Sequence, residues 1–175
     1  MLKNNSVIDR KVVDIFIKNY RLKGISGLLK NLQNKSSRKL FINFLSKNQY
    51  RISSLINNKE KLLFHGSNIK IKRLIPKESL VYASDLPDYA IFLAIISLSR
   101  TGSAKVNTIK NKTTMGIDQD FINGKSRIVP GYVHVVSSQT FLHQAGKEYI
   151  SDKPVDVLFS IPVTYRDLDT PITLC

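Results

Sequence analysis

The spacing of apolar residues changes character once along the chain, near residue 60. Before that point apolar positions recur at helical intervals. Val12, Ile15, Phe16 and Tyr20 share one face of a helix predicted from about Val7 to Leu22, with Ser6 as its cap. Leu28, Leu29 and Leu32 mark a second helix after Gly24 and Gly27. Leu40, Phe41, Phe44 and Leu45 mark a third, capped by Ser36 or Ser37. A fourth is predicted from about Tyr50 to Ile56, ending at Asn57 and Asn58.

Beyond residue 60 the pattern becomes that of strands. Leu62–Phe64 is a short apolar strand, Ile69–Leu74 alternates loosely toward a turn at Pro76, and Ser79–Ala83 is a second strand. Asp85 is the predicted N-cap of a helix over Asp88–Ser99, with Pro87 tolerated in its first turn. Residues 100–130 are polar and rich in Gly, Asn and Lys, which predicts a long loop. Strands return at Gly131–Val136, Glu148–Ser151 and Val155–Val163, the last alternating through Val155, Val157, Phe159 and Ile161. The tail holds a turn at Pro171 and no predicted element. The fold class expected is α+β, with a basic helical region over 1–60 and a strand-rich domain over 61–175.

Charge sharpens that division. Residues 1–61 carry 14 Lys/Arg and 3 Asp/Glu, a net +11 of the chain's +14. The front third is therefore where an anionic partner would bind: nucleic acid, an acidic protein or a membrane surface. Lys30, Lys35, Arg38 and Lys39 are the cations expected to deliver a substrate. The longest apolar run, Tyr89 to Leu98, is about ten residues, too short to span a bilayer, so no transmembrane segment is expected. No secretory signal pattern opens the chain, which predicts a cytoplasmic protein or one delivered to a host cytosol by another route. The lone cysteine, Cys175, makes no internal disulfide, and three unspaced histidines give no metal signal.

Three stretches carry candidate chemistry. Phe64-His65-Gly66-Ser67 places an imidazole beside a backbone step without a side chain, where a flat ligand can approach the main chain. Val81-Tyr82-Ala83-Ser84 ends the second strand and opens a helix. Glu148, between Lys147 and Tyr149, heads a later strand after Gln144-Ala145-Gly146, where a carboxylate can point into a cleft. His134 lies inside a strand as a packed or surface residue, and His143 falls in a loop.

The order of these stretches resembles the His-Tyr-Glu branch of the ADP-ribosyltransferase superfamily, which includes the poly(ADP-ribose) polymerases and diphtheria toxin. The resemblance spans roughly residues 61–165 and implies a split-sheet fold with NAD as substrate and no metal. It assigns His65 to the adenosine ribose 2′-hydroxyl, with Ser67 beside it, and the Gly66 backbone to the nicotinamide carboxamide. Tyr82 stacks on the nicotinamide ring, a second aromatic (Phe92, or else Tyr89) covers the other face, and Glu148 bonds the nicotinamide-ribose 2′-hydroxyl. Breaking the glycosidic bond develops positive charge on the sugar, which an ionised Glu148 stabilises, and Lys147 would favour that ionised form.

Gly146 stands two residues before Glu148. The Arg-Ser-Glu branch uses a Glu or Gln there to address its acceptor, so the chain departs from that branch. The implied activity is mono-ADP-ribosyl transfer to a macromolecular acceptor, protein or nucleic acid, as in a toxin or effector. One alternative is an RNA 2′-phosphotransferase-like enzyme, for which Arg73, Arg100 and Arg127 are too scattered to form a clear phosphate set. The other is an inactive fold of this type serving as a basic binding module.

Overall fold

The computed structural model describes residues 60–109, 112–146 and 148–174, together with Lys18, Arg38, Phe41 and Ile42. Those last four are helical. The rest of the four predicted front helices lies outside the described residues.

In chain order the described elements are β1 Leu62–Ser67, β2 Arg73–Leu74, β3 Val81–Ser84, α1 Pro87–Ile95, β4 Ile96–Ser97, β5 Ala104–Ile109, β6 Lys112–Ile117, α2 Gln119–Ile122, β7 Arg127–Ile128, β8 Gly131–Ser137, β9 Leu142–Ala145, β10 Glu148–Ser151, β11 Val155–Val163 and β12 Ile172–Leu174. The strand-rich α+β class expected from the pattern is present in these residues. Seven strands form one antiparallel sheet in the order β2-β11-β8-β1-β3-β10-β9. β12, β6 and β5 form a second sheet, and β4 pairs with β7.

Alternation along the central strands builds a core on each face of the main sheet. Leu62, Phe64, Val133, Val135 and Ile161 belong to the cluster that receives α1. Leu63, Val81, Ala83 and Val136 belong to the other, with Phe141 and Val155. The helix is apolar nearly all round, as a helix covered on several sides must be. The sheet lies beneath it, and Met115, fully buried, joins its cluster from β6. It approaches so closely because Gly66 on β1 and Gly131 on β8 offer no side chain. A Cβ on Gly66 would collide with the Ala90 carbonyl oxygen, and one on Gly131 with that of Ala94.

The front region contributes to this core. Phe41 and Ile42 are buried in the α1 cluster, and the Phe41 ring lies 6.2 Å from that of Phe159. Arg38 pairs with Asp167 at 3.4 Å, and Asp167 also accepts the Thr164 amide at 2.8 Å. Arg38 was expected to deliver substrate; its guanidinium is instead committed to a buried carboxylate.

Several local expectations are corrected. Asp85 does not cap α1. It accepts from Lys61 Nζ at 2.8 Å, while the Ser84 hydroxyl accepts the Leu86 amide and the helix opens on Pro87 without a side-chain cap. The helix stops at Ile95, four residues short of Ser99, because the chain turns into β4 and the Ile95 carbonyl accepts from Val129. Residues 100–130 are not a loop: they hold the β5–β6 hairpin, α2 and β7. Their polar residues knit the segment together. The Asp120 carboxylate accepts from Ser99 and Thr101 hydroxyls at 2.7 Å each, and Asp118 caps α2 and accepts the Ser103 amide. The tail is not featureless, since β12 adds in parallel to β6. His143 lies in β9 rather than a loop.

Candidate functional site

β1 and β3 share a single backbone pair, Phe64↔Ser84. Their other neighbours are held over four to six pairs, as in β10–β3 and β1–β8. Where β1 and β3 part, the His65 side chain closes the gap: its Nδ1 lies 2.7 Å from the Tyr82 carbonyl oxygen. A carbonyl only accepts, so Nδ1 carries the proton and Nε2 of the neutral ring is left as an acceptor.

A cleft of about 840 Å³ opens at this split. His65, Gly66 and Ser67 line it from β1, Tyr82 from β3 and Leu93 from α1. The remaining wall is the β1–β3 connection, including Ile69, Arg73, Ile75, Lys77 and Glu78. That volume is within the range of small-molecule sites. Its lining is unusual for a protein surface: Ile69 is 67% exposed, Ile75 61%, Tyr82 45% and Leu93 38%. Four large apolar side chains left open around one concavity, with Lys77 and Arg73 beside them, suit a ligand that is part planar and part anionic.

Burial holds the imidazoles neutral. It lowers His65 below the ordinary histidine value against the opposing pull of the Tyr82 carbonyl, and nearby Lys77 lowers it further. His134, paired with His65 in the β1–β8 register, is fully buried and pushed down to about 4. Burial is the main cause; the Ile69 carbonyl opposes it, while Lys70, and His65 whenever it is protonated, add to it. His134 donates from Nε2 to the Ile69 carbonyl at 3.1 Å and accepts the Ser160 hydroxyl at Nδ1 at 2.8 Å. The rings of His65, His134 and Tyr132 form a row, with centroids 6.0 and 6.3 Å apart. His134 is thus the support on which His65 rests.

Glu148 stands one strand away. It pairs with Ser84 in the β10–β3 register, and Ile150 pairs with Tyr82. Alternation therefore puts Glu148, Ser84 and Tyr82 on one face, the face that receives α1. Tyr89 reaches down from the helix and donates to Glu148 Oε1 at 3.4 Å. Burial and the adjacent carboxylate push the Tyr89 phenol up to about 12, so it stays a hydrogen-bond donor. Leu93, one turn after Tyr89, continues the same helix stripe into the cleft. Lys147, expected to favour an ionised Glu148, lies outside the described residues.

The residues singled out in the sequence do not all converge. His65, Gly66, Ser67 and Tyr82 line one cleft; Glu148 is not part of its lining but lies on the strand beside Tyr82, where Tyr89 donates to it. Phe92, the preferred second stacking aromatic, is fully buried in the core and has no ring face open to a ligand. From α1 it is Leu93 that lines the cleft, while Tyr89 is engaged with Glu148. Gly66 has a packing reason to be glycine, the close approach of α1, whatever its backbone does for a ligand. Leu93, Lys77 and the exposed isoleucines were missed by sequence reasoning, and a helix apolar nearly all round offered no periodic signal for Leu93.

No family model, curated protein or solved structure matches the chain. Among the described residues no group of three or more His, Cys, Asp or Glu is placed to hold a metal, and no helix is long and apolar enough to cross a membrane.

Proposed function

We propose that the chain is an NAD-consuming mono-ADP-ribosyltransferase built on a split sheet. The observation that supports this most is the gathering of His65, Gly66, Ser67 and Tyr82 around one cleft, with Glu148 on the strand beside Tyr82. Each group suits a part of the dinucleotide. Neutral His65 presents Nε2 as an acceptor for a ribose hydroxyl, with the Ser67 hydroxyl next to it. The half-exposed Tyr82 ring offers a face for nicotinamide. Lys77 and Arg73 suit the diphosphate.

In this reaction the C1′–N bond of the nicotinamide ribose breaks and the neutral nicotinamide leaves with the bonding pair. The sugar becomes oxocarbenium-like. An oxygen or nitrogen of the acceptor bonds to C1′, and its proton passes to solvent. Glu148 acts by bonding the ribose 2′-hydroxyl and stabilising the positive sugar more than the neutral ground state. Tyr89 holds that carboxylate in place. Nicotinamide release from NAD, compared between the chain and its Glu148→Gln variant, tests the assignment.

A further inference from the structure

A second groove lies outside the His65 cleft. One part, about 440 Å³, is lined by Ile128, Pro130, Thr164, Tyr165 and Arg166 among others. An adjoining part, about 280 Å³, shares Arg38, Pro130 and Thr164 with it and adds Tyr132 and Asn68. Asn68 also lines the His65 cleft, so the groove and the cleft adjoin at this residue. The Asn68 amide is fixed at that junction by donating to the Ala94 carbonyl at 2.6 Å.

The groove has the chemistry of a polyanion site with planar faces. Tyr165 is 57% exposed and Ile128 43%. The Arg166 guanidinium lies 5.7 Å from the centre of the Tyr165 ring and donates from Nε to the Tyr165 hydroxyl at 3.2 Å, which makes the pair a cationic stacking platform. Among the described residues no acidic side chain lines either part. The neighbouring carboxylate of Asp167 is 2% exposed and engaged by Arg38 and the Thr164 amide. Arg127, exposed, adjoins at β7. An acidic peptide would use the charge and leave the stacking platform idle. A duplex hides its base faces. A single strand alternates phosphates with bases free to stack.

We propose that this groove binds single-stranded nucleic acid and leads it past Asn68 toward the His65 cleft. That the strand serves as the ADP-ribose acceptor rests on the transferase reading; the binding itself does not. The test is fluorescence anisotropy of the full chain with a labelled mixed-sequence oligonucleotide of about a dozen nucleotides. Ribose and deoxyribose forms, the same sequence as a duplex, and inorganic polyphosphate as competitor complete the set. Binding of the single strand should exceed that of the duplex and resist polyphosphate. Tyr165→Ala should weaken it at least about fivefold, while Tyr165→Phe, which keeps the ring, binds as the parent does. Arg166→Glu should weaken it and lower the slope of log affinity on log salt by about one. Folded Tyr165→Ala and Arg166→Glu variants that bind as the parent does would overturn the proposal, as would displacement by polyphosphate as readily as by unlabelled strand. The assay contains no NAD. Absent nicotinamide release therefore leaves the groove standing, and absent oligonucleotide binding leaves the transferase chemistry standing.

Discussion

His65 donates from Nδ1 to the carbonyl oxygen of Tyr82 at 2.7 Å, across the one place where β1 and β3 separate. A side chain here takes over from the backbone ladder. The bond fixes the ring, settles which nitrogen faces the cleft, and ties the residue proposed for the adenosine ribose to the strand that carries the proposed stacking ring. Behind it, His134 fills the space that would otherwise let the imidazole swing away.

Stability should depend on pH through His134. Its folded value, about 4, lies below the ordinary value of 6.5. Between those two values the unfolded chain binds a proton that the folded chain does not. The contribution is therefore fully present above about pH 6.5 and is lost as pH falls toward 4. His65, lowered in the same direction, adds to the loss. The unfolding free energy read from urea titrations should fall between pH 7 and pH 4.5 by an amount on the order of 2–3 kcal/mol. His134→Gln should flatten that slope; an unchanged slope would place the titration elsewhere.

The turn at Glu78 and Ser79 is strained. Both residues have positive φ, 49° and 75°, and the flanking Lys77 and Leu80 exchange backbone hydrogen bonds at 3.1 and 3.0 Å. Two left-handed residues between paired flanks are a hairpin turn that favours Asn-Gly. Changing Glu78 to Asn and Ser79 to Gly together should stabilise the chain by about 1 kcal/mol. A lower melting temperature in the double variant would count against this turn geometry.

Adjacent residues of α1 should part company. Phe92→Ala removes a fully buried core ring and should cost about 3–5 kcal/mol of stability. Leu93→Ala, at the cleft, should cost under about 1 kcal/mol of stability and lower NAD affinity by roughly fivefold to tenfold. Chemical denaturation and calorimetry read the two effects. A Phe92→Ala chain of normal stability with weak NAD binding would return Phe92 to the site.

Arg38 should behave as a structural residue. Its partner Asp167 has a fully buried side chain, so Arg38→Ala strands a buried carboxylate and should destabilise the protein by roughly 3–5 kcal/mol. A variant of unchanged melting temperature that had lost only acceptor modification would restore the delivery role first expected of it.

The sequence marked His65, Gly66, Ser67 and Tyr82 through two short strand patterns, and the structure sets all four around one cleft, although β1 runs on to Ser67 where the pattern ended it at Phe64. The helix was harder. With apolar residues all round α1, periodicity cannot say which side meets the cleft, so Phe92 and Leu93 were indistinguishable. The β5–β6 hairpin hid because Lys105, Asn107 and Thr114 alternate with few large apolar residues, and because Asp118 and Asp120 spend their polarity on local hydrogen bonds. The packing of Phe41 against Phe159 joins residues far apart in the chain, and no local pattern reports such a contact.

The most direct test is nicotinamide release from NAD by the purified chain beside its Glu148→Gln variant, with both shown to be folded and to bind NAD. Transferase chemistry predicts release by the parent and a fall of about a hundredfold or more in the variant, roughly 2.7 kcal/mol of lost transition-state stabilisation. Equal release by the two proteins, or a parent that neither binds NAD nor releases nicotinamide, would contradict it.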